Sequence, residues 1–374
     1  MKRNLFDIDK KILFILCPLY ALGLLCVGLW PFNFWPENKV AWLKDRNGVH
    51  FYGQGIIFSE PIVNNSKPPF FYGGPVTLEI CLQPDREPDS SLPHIFSLYD
   101  GKESEIFFLA QLKSGLVLQT RILQPHGRCF YKAGGIEDAL RKRERRLITI
   151  TADQQGTNVY IDGKLEEAFP PNSFIPQDGT TPNQITLGNS PIGKDSWTGN
   201  IYGLALYNRS LTADQVFHHF QNWANGKIAS SPEKESQVAI YLFDERAGTR
   251  IHDQINRLDL LMPPRFIVPQ KNILVPPWKD FRLTFSFFHD VMINILGFIP
   301  FGFLITALIR RRITSRSHSF IIVILLGSFL SLTIELIQVY LPNRYSQLMD
   351  VFTNTMGTVL GTILFHFYQS REKS

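Results

Sequence analysis

Residues 320–341 read FIIVILLGSFLSLTIELIQVYL, a run as apolar as lipid that carries one carboxylate, Glu335, with Gln338 one helical turn later. A helix of about 20 residues crosses a bilayer, so this stretch reads as a membrane span. An ionisable side chain near the bilayer core costs about 2.5–3.5 kcal/mol on insertion scales and usually faces a bundle interior or a watery cavity. Glu335 is therefore either paired to hold helices together or in touch with a ligand.

Three more segments reach the same length: Ile12–Trp30, about Val291–Ile309 and Val351–Tyr368. The first starts like a signal peptide, with MKR and then KK. Its apolar part is too long for an ordinary signal, no A-x-A-like cleavage site follows, and Leu25 before Cys26 is wrong for a lipoprotein. It reads as an uncleaved anchor closed by Trp30 and Trp35 at the interface. Lys2, Arg3, Lys10 and Lys11 precede the first span, Arg310, Arg311, Arg312 and Arg316 follow the second, and Arg371 and Lys373 follow the fourth. With four spans these clusters share one side, which the positive-inside rule makes cytoplasmic. Both termini are expected inside, and residues 37–280 outside the cytoplasm.

At 374 residues the chain has room for two or three domains. Its net charge of +5 sits largely beside apolar runs, so it is a topology signal and no nucleic-acid partner is expected. The 4 cysteines do not form a disulfide framework. Cys17 and Cys26 lie in the first span; Cys81 and Cys129 lie in the polar middle, where an oxidising compartment would let them pair.

That middle, about residues 40–270, changes character. Short alternating runs stand between turn signals: PVTLEICL, EIFFLAQL, GLVLQTRIL, RLITITAD, TNVYIDGKL, NQITLGN and NIYGLALY. In PVTLEICL, Val76, Leu78, Ile80 and Leu82 point one way and Thr77, Glu79 and Cys81 the other, the period of a half-buried antiparallel strand. Asp162-Gly163 is a hairpin signal, because a type I′ turn needs positive φ at both central positions. Many short strands at this spacing predict an all-β sandwich or barrel.

RLITITADQQGTNVYIDGKLEEA, followed by ITLGNSPIGKDSWTGNIYGLALYNRSLTADQVFHHF, resembles the laminin-G (LamG) and concanavalin A-like jelly rolls. Thr212 is placed to cap the helix that follows. VAIYLFDERAGTRIHDQ (238–254) looks like the opening strand of another such unit, or closes the same sandwich from its far end. Related jelly rolls that cleave glycans carry E-x-D-x-x-E, with carboxylates alternating on one strand face. That triplet is missing here, so binding is expected rather than hydrolysis. Calcium is common in the fold family, but no dense Asp/Asn cluster names its ligands, and no cofactor is expected. RKRERR (141–146) reads as a solvated loop, or as a grip for phosphate or an acidic glycan. Tyr99, Trp197 and Tyr202 read as core, or as platforms for sugar rings.

NILGFIPFGFL, then SLTIELIQVYLPNRYSQLMDVFTNTMGTVLG, closely resembles the VanZ-like family of small bacterial membrane proteins. The shared pattern falls on Asn294, Pro300, Gly302, Glu335, Gln338, Pro342, Arg344, Asp350, Asn354, Gly357 and Gly361. The resemblance implies four membrane helices, the first being the N-terminal anchor, in a bacterial cytoplasmic (inner) membrane. The fold class is therefore a multi-domain membrane protein, with a jelly-roll sandwich inserted between the first and second helices of a four-span VanZ-like bundle. The expected domains are an anchor at 1–36, an extracytoplasmic concanavalin A-like domain at 37–270 and a VanZ-like domain at 271–374.

Glu335 lies about six residues from the outer end of its span, or about 9 Å at 1.5 Å per residue. Gln338 shares its face, Asp350 and Asn354 sit on the first turns of the fourth span, Asn294 starts the second below His289 and Asp290, and Arg344 is in the loop. Asn294, Glu335, Gln338, Arg344, Asp350 and Asn354 are thus a candidate lipid- or ligand-binding cluster. They also read as a self-satisfied network pinning helices three and four, with Gly357-x-x-x-Gly361 allowing close approach. Three functions follow. One is non-catalytic: the jelly roll binds glycan or protein and the bundle a lipid or glycolipid, in envelope polysaccharide handling or in the glycopeptide (teicoplanin) tolerance linked to some family members. The second is an enzyme on a lipid-linked substrate with Glu335 or Asp350 as acid or base. The third is a membrane scaffold for envelope proteins.

Overall fold

The structure is a computed structural model that describes residues 10–62, 74–89, 91–101, 105–123, 129–171, 173–174, 182–225, 237–271, 273–280, 285–342, 344 and 346–371. Lys2, Arg3 and Lys373 of the charge argument lie outside these. The chain divides into two compact units, Trp35–Gln270 and the flanking stretches Met1–Phe34 with Lys271–Ser374.

The first unit is a sandwich of two antiparallel sheets. One runs β1 (Val40–Trp42), β2 (Val49–Tyr52), β13 (Thr198–Tyr207), β4 (Val76–Pro84), β9 (Arg146–Asp153), β10 (Gly156–Ile161) and β11 (Lys164–Phe169). β14 (Gln237–Tyr241) pairs with β13 beyond the end of β2. The other runs β15 (Arg250–Ile251), β16 (Leu260–Leu261), β3 (Ile57–Ser59), β12 (Gln184–Leu187), β5 (His94–Tyr99), β6 (Glu105–Leu112), β7 (Gly115–Leu123) and β8 (Cys129–Ile136). Segment 238–254 therefore completes this sandwich and opens no second one. At the β10–β11 hairpin Asp162 has φ 50° and Gly163 φ 76°, the turn their sequence requires.

Val76, Leu78, Ile80 and Leu82 enter the core between the sheets with Phe96, Phe107 and Trp197. The opposite face of β4 is also buried, which corrects the half-buried reading. Helix α2 (Ala213–Ala224), started by a Thr212–Gln215 capping box, lays Val216, His219 and Trp223 over it. Glu79 is fully enclosed there and accepts from His219 Nδ1 at 2.9 Å, Trp223 Nε1 at 3.0 Å and the Tyr207 hydroxyl at 3.2 Å. A buried carboxylate persists only with such partners.

The second unit holds α1 (Lys10–Leu29), a turn α3 (Pro277–Asp280), α4 (Phe285–Ile309), α5 (Arg316–Gln338) and α6 (Leu348–Arg371). α1, α4, α5 and α6 are long and apolar enough to cross a membrane. A Cβ added at Gly357 or Gly361 would collide with the backbone carbonyls of Ile295 and Ile299 on α4. The glycine pair thus seats α6 on α4, not on α5 as the hairpin reading expects. Gly327 of α5 meets the Thr358 side chain instead.

Candidate functional site

The polar residues gather at the end of the bundle where α1 and α5 finish and α4 and α6 begin. Glu335, on the last turn of α5, is only 2% exposed. The chain then folds back, so its Oε2 accepts from the backbone N–H of Gln347 at 2.7 Å and it is also hydrogen-bonded by the Ser346 side chain. Ser346 Oγ in turn accepts from Leu274 N at 3.0 Å, and Val275 pairs with this turn through Ser346 O and Leu348 N. Asp350, half-buried on the first turn of α6, lies beside Glu335 and is hydrogen-bonded to the side chain of Asn294 on α4. The two carboxyl groups are near enough for each to act on the other electrostatically. Among the described residues, no Lys or Arg forms an ion pair with either carboxyl group.

The other three candidates go elsewhere. Gln338 Nε2 donates to the carbonyl of Gly28 at 2.8 Å, tying α5 to α1. Arg344 donates to the carbonyl of Trp30. Asn354 Nδ2 donates to Ser331 Oγ at 2.9 Å, a link between α6 and α5 one turn deeper. Thus Asn294, Glu335 and Asp350 form one cluster, while Gln338, Arg344 and Asn354 join helices around it. Sequence reasoning missed Ser346 and the Gln347 backbone, and a main-chain donor leaves no side-chain signature to find.

On the sandwich, Tyr99, Trp197 and Tyr202 are buried, which rules them out as exposed sugar platforms. Trp197 is held by Gln111 Oε1 at 2.8 Å, and a polar tip with a partner is how such rings enter cores. RKRERR is partly spent on its own surroundings: Arg146 pairs with Asp162 at 2.7 Å and with Glu144, Arg141 pairs with Asp138, and Arg145 lies over the Tyr202 ring. Cys81 is a free thiol that accepts from Arg145 Nε; burial pushes its pKa up and Arg145 opposes the rise. The Cys129 side chain lies outside those described.

A jelly-roll sandwich carried in one chain with four membrane-crossing helices defines the class, a membrane protein with a lectin-type domain. Residues 64–217 match the Concanavalin A-like lectin/glucanases superfamily, and residues 228–369 match the VanZ/LLP1 family. The chain carries both domains. The VanZ/LLP1 match takes in β14, β15 and β16, which the fold adds to the sandwich. No curated protein matches the chain. Among solved structures, a Bacteroides ovatus ATCC 8483 protein described as carbohydrate binding is 13% identical with a TM-score of 0.41, covering 61% of this chain and 59% of its own. The sialyllactose-bound CBM40 of Ruminococcus gnavus IT-sialidase is 15% identical, TM-score 0.33, covering 43% of this chain and 96% of its own. The binding domain of botulinum neurotoxin serotype D is 11% identical, TM-score 0.37, covering 50% of each chain. The chain thus spans less than two thirds of the Bacteroides and neurotoxin structures.

Proposed function

We propose that this is a bacterial inner-membrane protein without catalysis of its own, whose sandwich binds a glycan or protein partner outside the cytoplasm. Its bundle engages an amphiphile, a lipid or glycolipid, at Asn294, Glu335 and Asp350. The observation that carries the reading is the contact between Glu335 and Asp350: two carboxyl groups inside a membrane bundle, with no described cation in ion-pair reach. Intramembrane ionisable groups of this kind mark ligand or ion sites more often than lipid-facing surface. Asp350 and Asn294 are half-buried and reachable, whereas Glu335 is enclosed behind them. The Lys and Arg clusters favour cytoplasmic termini. Envelope polysaccharide handling and glycopeptide tolerance both fit, by family analogy.

The same juxtaposition favours a second reading, acid–base chemistry on a lipid-linked substrate, with one carboxyl group as the acid and its neighbour as the base. One experiment addresses both. Full-length protein is purified with its co-extracted lipids and glycans, which are identified by mass spectrometry. Glu335→Gln and Asp350→Asn are near-isosteric and are expected to keep the wild-type melting temperature while losing the retained amphiphile. Wild-type retention in both folded variants would leave the cluster as architecture. Turnover of the retained molecule by wild type alone would favour the enzyme.

A further inference from the structure

α4 and α6 run parallel, and their facing residues keep a constant register. Asn294 meets Asp350, Gly302 meets Thr358, and Thr306 Oγ1 lies 3.2 Å from Thr362 Oγ1. Residues four apart share a helix face, so the next rung, at the end of the bundle away from Glu335, is Arg310 with His366. The charges of Arg310 and Arg316 do reach the His366 ring.

This rung is unfinished. Both ring nitrogens of His366, Nε of Arg310 and Oε1 of Gln369 are shielded from solvent and meet no hydrogen-bond partner. Nearly all buried polar atoms in native proteins have one. Among the described residues the charge here is also of one sign. Arg310, Arg311, Arg312 and Arg316 flank the turn between α4 and α5, and Arg371 ends α6. The described acidic side chains of the bundle, Asp290, Glu335 and Asp350, all belong to the other end. Arg310 Nη1 is fixed by the carbonyls of Ile313 and Thr314, while its Nε is a buried donor without a partner.

We propose that this end of the bundle is a phosphate-binding site. Arg310 Nε and a His366 ring N–H donate to phosphate oxygens, Arg316 supplies charge, and Gln369 Oε1 accepts from a hydroxyl or amine beside the phosphate. Charge-assisted bonds from guanidinium to phosphate are among the strong ones. Basic pockets between membrane helices take phosphate-bearing lipid head groups in this way. The site is independent of the Glu335–Asp350 reading and stands or falls apart from it.

Full-length protein in nanodiscs of phosphatidylglycerol mixed equally with monogalactosyldiacylglycerol, a glycolipid without phosphate, is released and its retained lipid read by native mass spectrometry. Phosphatidylglycerol is expected to be kept over the galactolipid by about tenfold. His366→Ala removes no hydrogen bond, so it folds as wild type by thermal melting and brings the ratio to parity. Arg310→Gln acts in the same direction while also losing its helix-end contacts. In lipid-free detergent, inorganic phosphate that raises the melting temperature of wild type but not of His366→Ala assigns the site to phosphate itself. A rise seen only with phosphatidylglycerol assigns it to the lipid head group. Equal retention of the two lipids, or a preference that survives His366→Ala, overturns the proposal.

Discussion

Arg344 donates to the carbonyl of Trp30 from Nε at 3.0 Å and from Nη2 at 2.8 Å, so its charge reaches Glu335 only from beyond ion-pair distance. The carboxyl pair therefore rests on hydrogen bonds to Gln347, Ser346 and Asn294, and the arginine closes the end of α1. Arg344→Ala is expected to cost about 0.5–1 kcal/mol, because the bonds are charge-assisted but exposed. Arg344→Lys should recover only part of that, since one ammonium lacks the planar fork. Melting of full-length protein in detergent reads both, and a wild-type curve for Arg344→Ala would make the contact incidental.

Gly361→Ala places a methyl against the Ile299 carbonyl, where backbone and not a flexible side chain must yield. Overpacking of this kind costs about 1–3 kcal/mol. Gly23 on α1 meets nothing within 4 Å of an added Cβ, so Gly23→Ala is the matched control and should melt no lower than wild type.

Removing the Glu79 carboxylate strands three donors under α2. Glu79→Ala is expected to destabilise the sandwich by about 3–5 kcal/mol, the cost of breaking a buried charged cluster from one side. Hydrogen exchange should rise first across residues 213–224. Exchange that stays at the wild-type level there would mean α2 is held by Val216 and Trp223 packing alone.

His94 gives the sandwich a pH dependence. Burial lowers its pKa, but Glu105, bonded to Nδ1 at 2.8 Å, raises it further and Asp195 adds to the rise, leaving it above the ordinary 6.5. A folded-state value above the unfolded one means the contribution is complete below pH 6.5 and is lost as pH climbs through the raised value. The melting difference between wild type and His94→Gln should be largest below pH 6.5 and fade as the pH rises above it. A difference that grows with pH would reverse the assignment.

The strand runs, the hairpin at Asp162-Gly163, the cap at Thr212 and the membrane helices are legible in the sequence because each depends on neighbours in the chain. β4 shows where that stops. Its alternation correctly aims Leu78 and Ile80 at the core, yet nothing in PVTLEICL announces that a helix from residues 213–224 covers Glu79. Trp197 and Tyr202 stay open between core and platform for the same reason, since composition cannot tell a ring in the core from a ring in solvent.

What the sequence determined by itself is the class of the protein: four apolar lengths that only a bilayer accommodates, and a period-2 chain between them that only a sheet satisfies. It also supplied the polar residues of the bundle. The tertiary structure decided which of them meet: Asn294 with Asp350, Arg344 with Trp30, and Gly361 with α4 in place of α5. Hydropathy and periodicity are local sums, whereas a hydrogen-bond partner across helices depends on the register in which two glycine-lined faces lock together.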